Sequence, residues 1–177
     1  GYPNRWEQSG GGFDAAGVLQ HGHIPSLEED YGAPVDLNYD EALAWLDSSR
    51  HFGIKLGLEN INRLLVGLGN PQNDQTILHV AGTNGKGSVC AMMDAILRAG
   101  GHRTGLYTSP HLVDFCERIR VDGKKILPME AAAGMTEIRA VSQDWDHAPT
   151  YFEIATALAL WYFARRECAV IVLETGM

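Results

Sequence analysis

The chain has 177 residues, 45% of them hydrophobic and 20% charged, which suits one α/β domain with a core of its own. No apolar run approaches the ~20 residues that a membrane-spanning helix needs, and the polar, glycine-rich start shows no leader peptide. A net charge of −8 argues against general nucleic-acid binding, which needs a basic surface.

The acid excess is concentrated at the start. Residues 1–50 hold nine acids and two bases, so the remainder is close to neutral and a phosphate ligand would have to be held by local geometry. Cys90, Cys116 and Cys168 have no metal-ligand spacing and read as reduced thiols of a cytoplasmic protein. Residues 1–35 are rich in Gly, Pro and acids without periodicity and are expected to form a flexible extension; residues 36–177 are expected to hold the folded domain.

Asn38-Tyr39-Asp40-Glu41 is a capping box, and the helix it opens turns Leu43, Trp45 and Leu46 toward a core. A loop over Ser48–Leu56 follows. Leu58, Ile61, Leu64, Leu65 and Leu68 then mark a second amphipathic helix, which Gly69-Asn70-Pro71 ends.

Residues 77–101, ILHVAGTNGKGSVCAMMDAILRAGG, read as a strand (Ile77–Ala81), a glycine-rich turn (Gly82–Gly87) and a helix from about Ser88 to Ala99. Strand, Gly-rich turn and helix in this order cradle phosphates, because backbone N–H groups and the positive helix end face the anion. Gly82, Thr83, Asn84, Gly85, Lys86, Gly87 and Ser88 are therefore the candidate nucleotide loop. Lys86 would reach the outer phosphates, and Ser88 or Thr83 a phosphate oxygen or magnesium. The standard P-loop has four residues between its glycines and a hydroxyl directly after Lys. Here two residues separate Gly82 from Gly85, and Gly87 follows Lys86.

Arg103–Thr108 reads as a second strand ending in Ser109-Pro110-His111, and a loop in that position lies beside a bound nucleotide. Taken alone, Ser109-Pro110 reads as a turn starter. Glu117, Arg118 and Arg120 fit either a solvated face or, for Arg118, a two-pronged grip on a carboxylate. Ile119–Ile126 around Asp122-Gly123 is a hairpin, and Pro128 opens a helix to about Val141.

Thr150-Tyr151-Phe152-Glu153 is a second capping box, opening a helix so apolar that it must be buried. The cap accounts for Thr150 and Glu153 without any ligand. Ala169–Leu173 is a buried strand ending in Glu174, where an acid beside a phosphate loop commonly serves a metal; a plain strand-end acid is the alternative.

HVAGTNGKGS resembles the ATP loop of the Mur-ligase-like amide ligases, and specifically of the folylpolyglutamate synthase/dihydrofolate synthase family, which has Gly between Lys and Ser. FGIKLGLENI (Phe52–Ile61), TSPHL with ERIRVDGKKI (Thr108–Ile126), and TYFE followed by VLETGM (Thr150–Met177) are similar to the same family in order and spacing.

The resemblance implies a P-loop-like central domain, a parallel sheet with flanking helices. It implies ATP and Mg2+ as cofactors, Ser109 and Glu174 as magnesium ligands, and a pteroate site lined by Thr150, Tyr151, Phe152 and Glu153. It also implies that the loop with Ser48 and Arg50 borders the pterin site and makes these two residues candidates for substrate contact; read alone, they are ordinary surface residues. The implied activity joins L-glutamate to dihydropteroate or folate, in a cytoplasmic monomer with small-molecule partners and neither nucleic acid nor membrane. Met177 falls inside the family's E-T-G-M-G-G-R stretch, so a further metal-binding His, a carbamylated Lys and a C-terminal domain are not among these residues. On that reading the chain alone binds ATP weakly and does not complete catalysis. A cell-wall Mur ligase and a non-catalytic nucleotide-binding module are the alternatives; Gly87 and the SPHL-to-ERIR segment argue against the first.

Overall fold

A computed structural model describes residues 37–52 and 57–176, with the backbone alone at His51 and Phe52. The extension expected over residues 1–35, and part of the FGIKLGLENI segment, lie outside the described residues. The described residues all fall within the unit Ala33–Met177.

Helix α1 (Tyr39–Ser48) begins as expected: Asn38 Oδ1 accepts the Glu41 N–H at 3.0 Å, and the Glu41 carboxylate accepts the Asn38 N–H at 2.9 Å. Ser48 is the last residue of this helix, and Ser49–Phe52 forms a 3₁₀ turn. That corrects the loop expected from Ser48. Helix α2 (Glu59–Gly67) buries Leu64 and Leu65, while Leu58 stays 68% exposed. Gly69 and Asn70 end it with positive φ.

One five-stranded sheet, in the order β1-β5-β2-β3-β4, carries the fold. Strands β1 (Thr76–Val80), β5 (Val170–Glu174) and β2 (Thr104–Tyr107) run parallel, with Thr76 and Thr104 both in register with Val170. The hairpin β3 (Ile119–Val121) and β4 (Lys124–Lys125) adds two antiparallel strands, so the sheet is mixed rather than purely parallel. Asp122 and Gly123 both take positive φ at the hairpin turn, the conformation that an Asp-Gly pair adopts readily.

Side chains alternate across the sheet. Leu106 and Val172 face α3 (Lys86–Ala99), with Cys90, Met93 and Leu97 closing a small core. Tyr107 and Ile171 face the other way, into the main core of α5 (Tyr151–Arg165), α4 (Pro128–Ser142), α1 and α2. Helix α5 presents Ile154, Ala155, Ala157, Leu158 and Phe163 at no more than 1% exposure, as its unbroken apolar sequence requires. Three layers result, with α3 the one helix on its face among the described residues.

Strand β1 pairs only with β5 among the described residues. Ile77 on this edge strand, and Val89, Met92 and Ile96 at helical spacing on α3, are exposed. The three cysteines are free and buried, as their contexts imply.

Candidate functional site

Because β1, β5 and β2 are parallel and in register, their carboxyl ends emerge side by side. Three chain segments meet there: the loop after Val80, the loop after Tyr107, and Glu174–Gly176. Crevices at the carboxyl ends of parallel strands are where such sheets hold ligands. The Thr175 N–H donates to Val80 O at 3.0 Å and locks the end of β5 to the start of the glycine loop.

Gly82 (φ 152°) and Gly85 (φ 75°) lie in the left-handed range, where a side chain is disfavoured, and so let the loop fold back on itself. Gly85 caps α3, so the helix begins at Lys86 rather than at Ser88 as the sequence suggests. Lys86, Gly87 and Ser88 thus form the first turn, whose N–H groups have no partner within the helix and point at the mouth of the loop. Lys86 is 8% exposed, and its Nζ donates to Gly82 O at 2.8 Å, curled over the loop. The arrangement offers an anion the first-turn N–H donors of α3 and the Lys86 ammonium.

Ser109 and Glu174 come together on the facing wall. The Ser109 N–H donates to Glu174 Oε2 at 3.0 Å. Glu174 is 6% exposed and has no basic partner within 4.0 Å among the described residues, although a buried carboxylate needs one. A Cβ placed on Gly87 would lie 3.8 and 3.9 Å from its two oxygens, so the carboxylate sits against the nucleotide loop. No group of three or more His, Cys, Asp or Glu gathers among the described residues. One carboxylate and one hydroxyl suit magnesium, which keeps several waters and takes phosphate oxygens, and do not suit an all-protein cage.

Beside this wall lies an aromatic and basic cluster. Phe152 is 45% exposed, and its ring is packed on the backbone of Gly176. Next to it, the Tyr151 ring carries the Arg50 guanidinium 4.1 Å from its centroid and that of Arg118 at 5.4 Å. Arg118 is 7% exposed, which excludes the solvated-face reading for this residue. Its Nε donates to His111 Nδ1 at 2.8 Å. Burial, with Arg118 and Arg50 nearby, pushes the His111 pKa down, which keeps the imidazole the neutral acceptor that this bond requires.

The remaining sequence candidates fall elsewhere. Thr150 and Glu153 spend their side chains on each other: Thr150 N–H and Oγ1–H donate to Glu153 Oε2 at 2.7 and 2.9 Å. Ser48 Oγ donates to Trp45 O at 2.6 Å, on a 310 Å³ groove that also takes in Trp45, Arg139, Trp145 and Ile154. His111 and Gly176 escaped the sequence reading; the only hint was their place beside Ser109 and Glu174.

Glu117 fastens the loop after Ser109. Its carboxylate accepts the Leu112 N–H at 3.0 Å, and Lys125 Nζ lies at 3.4 Å. The Leu112 bond foremost holds its pKa down at about 2, from an ordinary 4.5. A depressed native pKa stabilises the fold above about pH 4.5 and loses that contribution as pH falls toward 2. Glu117→Gln should therefore lower the melting temperature at pH 7, and the gap to wild type should close between about pH 4.5 and 2. A gap independent of pH would show that the charge is not what holds the loop.

No family model matches the chain. The probable bifunctional folylpolyglutamate synthase/dihydropteroate synthase of Haloferax volcanii is 48% identical over 144 residues, covering 80% of this chain and 17% of that protein. The dihydrofolate synthase/folylpolyglutamate synthase of Escherichia coli K12 is 38% identical over 135 residues, 76% of this chain and 32% of that one. Among solved structures, Thermotoga maritima folylpolyglutamate synthase superposes with a TM-score of 0.73 at 38% identity, covering 78% of this chain and 33% of that one. Escherichia coli FolC in complex with DHPP and ADP gives 0.72 at 33% identity, covering 87% and 35%. The chain thus spans about a third or less of the relatives that it matches.

Proposed function

About four fifths of this chain is homologous to folylpolyglutamate and dihydrofolate synthases, and from that premise we propose that it is the nucleotide-binding part of an ATP-dependent ligase joining L-glutamate to a pteroate or folate carboxylate. The observation that carries the proposal is the convergence of the Gly82–Ser88 loop, Ser109 and Glu174 at the ends of three adjacent parallel strands. ADP in the Escherichia coli relative supports nucleotide binding there.

Each residue then has work that its position allows. The first-turn N–H groups of α3 and Lys86 hold the ATP phosphates and neutralise charge that builds as the γ-phosphoryl group moves. Ser109 and Glu174 would hold Mg2+, which supplies electrostatic stabilisation of the phosphates when bound. Phe152 offers a face for the heterocycle.

The acceptor carboxylate attacks the γ-phosphorus and ADP leaves, giving an acyl phosphate. The glutamate amine then attacks the carbonyl carbon, loses a proton, and phosphate leaves with the amide formed. Among the described residues of the site no side chain is an activated nucleophile, so positioning and charge neutralisation carry the rate. The cytoplasm and a monomeric state fit this role.

The test is ATP turnover by the intact protein. The proposal expects turnover only when dihydropteroate or a folate and L-glutamate are both present. Turnover requiring a cell-wall precursor instead would assign a Mur-type acceptor. ATP binding without turnover under any acceptor would leave a nucleotide-binding module.

A further inference from the structure

We propose that a basic cavity at the amino ends of β2 and β5, at the far end of the sheet from the nucleotide loop, is a second anion site. It is built for a phosphate group, free or carried on a small organic body. The inference stands apart from the ligase reading above.

Arg103 directly precedes β2, and its carbonyl oxygen accepts the Ala169 N–H at 2.8 Å, so it stands where β2 and β5 begin. Lys124 and Lys125 come from β4, and Arg166 from the end of α5. These four cations line a cavity of about 360 Å³ together with two acids, Asp122 and Glu130. In a chain with a net charge of −8, four of its 14 Lys and Arg residues thus gather around one cavity, against two carboxylates.

Both acids are already engaged. Glu130 is buried, accepts the Leu127 N–H at 2.9 Å and the Tyr162 hydroxyl at 3.0 Å, and pairs with Arg166. The Arg166 guanidinium also lies 5.3 Å from the Tyr162 ring centroid, so this wall is fixed and its charges offset each other. Asp122 Oδ1 accepts the Thr104 N–H at 3.0 Å, while its Oδ2 stays 4.0 Å from Arg103 Nε, beyond hydrogen-bond distance. Lys125 reaches Glu117 at 3.4 Å. Lys124 has no carboxylate within 4.0 Å among the described residues. Arg103 and Lys124 are therefore the cations whose charge is left over. Lysines commonly guard a sheet edge, which accounts for those on β4. It does not account for Arg103, because β2 lies inside the sheet between β5 and β3.

The chemistry of the cluster selects the anion. Cations set around one cavity are met best by a group with several acceptor oxygens and nearly two charges, as a phosphate monoester has at neutral pH. A lone carboxylate brings two oxygens and one charge. Arg103 supplies a planar fork and Lys124 a compact ammonium, both suited to phosphate oxygens. Val121 and Leu127 line the same cavity and offer an apolar wall to an organic body attached to the phosphate.

The experiment is calorimetric titration of the full chain with inorganic phosphate and with phenyl phosphate at constant ionic strength. Lys86→Ala is the background, since it weakens any phosphate held by the nucleotide loop, and Arg103→Gln and Lys124→Gln are added to it singly and together. The Arg103 side chain is 45% exposed and Lys124 is exposed, so neither change should lower the melting temperature without anion. Lys124→Gln removes no carboxylate contact and carries the result by itself if Arg103→Gln proves destabilising. The background protein should keep a phosphate site, and each substitution should weaken it about ten- to hundred-fold. Tighter binding of phenyl phosphate would identify an organic phosphate as the ligand, and equal binding the free ion. No phosphate binding in the Lys86→Ala background would overturn the inference. Unchanged affinity after Arg103→Gln and Lys124→Gln, or binding no tighter than that of chloride, would overturn it as well.

Discussion

Replacing Lys86 with Ala is expected to lower ATP turnover by the intact protein by about a hundred- to a thousand-fold, the loss typical when one preorganised charge donor is removed from an oxyanion-type site. Lys86 lies in the first turn of α3, 8% exposed, with its Nζ only 2.8 Å from Gly82 O. That bond joins the side chain to the loop it serves, and a phosphate oxygen entering the loop would compete for the same Nζ. Binding of magnesium-ATP should weaken by less than turnover falls, because first-turn N–H groups and Glu174 remain in place and only charge built up during transfer is left uncovered. Lys86→Arg should not restore full turnover, since a planar fork does not replace a compact ammonium in so confined a loop. Calorimetric titration beside steady-state turnover separates the two effects. Weaker binding of magnesium-ATP with turnover at saturation unchanged would place Lys86 in ground-state binding alone.

Phe163→Ala is expected to be the most damaging single truncation in the sheet–helix layer, at about 3–5 kcal/mol, a large share of the roughly 5–15 kcal/mol that holds a domain together. The Phe163 ring is fully buried on α5 and lies directly over Gly105 of β2. A Cβ at Gly105 would come within 2.7 Å of that ring, so the strand is bare where the aromatic needs to sit. The same contact argues that Gly105→Val destabilises by overpacking, since neither the central strand nor the buried ring can move aside. By contrast Val89, 41% exposed on α3, should tolerate Ala within about 0.5 kcal/mol. Urea midpoints at constant m-value measure all three. A midpoint for Phe163→Ala close to wild type would mean that the sheet and α5 are not packed as described.

Much of this arrangement is legible in the chain because the signals are local. The capping boxes at Asn38–Glu41 and Thr150–Glu153 are reciprocal hydrogen bonds within one turn, and both form as read. Asp122-Gly123 specifies its own turn. The strand, glycine loop and helix of residues 77–101 are ordered by adjacent residues, and the error there is small: a left-handed Gly85 takes the cap and draws Lys86 and Gly87 into the helix.

What the sequence hides is long-range. Nothing near β5 announces that it inserts between β1 and β2, yet that insertion brings Glu174 to Ser109. The hairpin was legible, but not that it extends the sheet beside β2. Arg118 could be read equally as solvated or as a carboxylate grip, because its burial is decided by α5, which brings Tyr151 under it. Ser48 shows the converse: a hydroxyl near the expected loop is claimed by its own helix.

The central claim is that a carboxylate is activated by phosphoryl transfer at the Lys86, Ser109 and Glu174 site, and isotope transfer tests it most directly. The intact protein would be given ATP, L-glutamate and an acceptor whose reacting carboxylate is labelled with oxygen-18, and the released phosphate analysed by mass. Attack of that carboxylate on the γ-phosphorus carries one labelled oxygen into phosphate when the amide forms, so the account predicts one label per phosphate released. Product formed with unlabelled phosphate would contradict it.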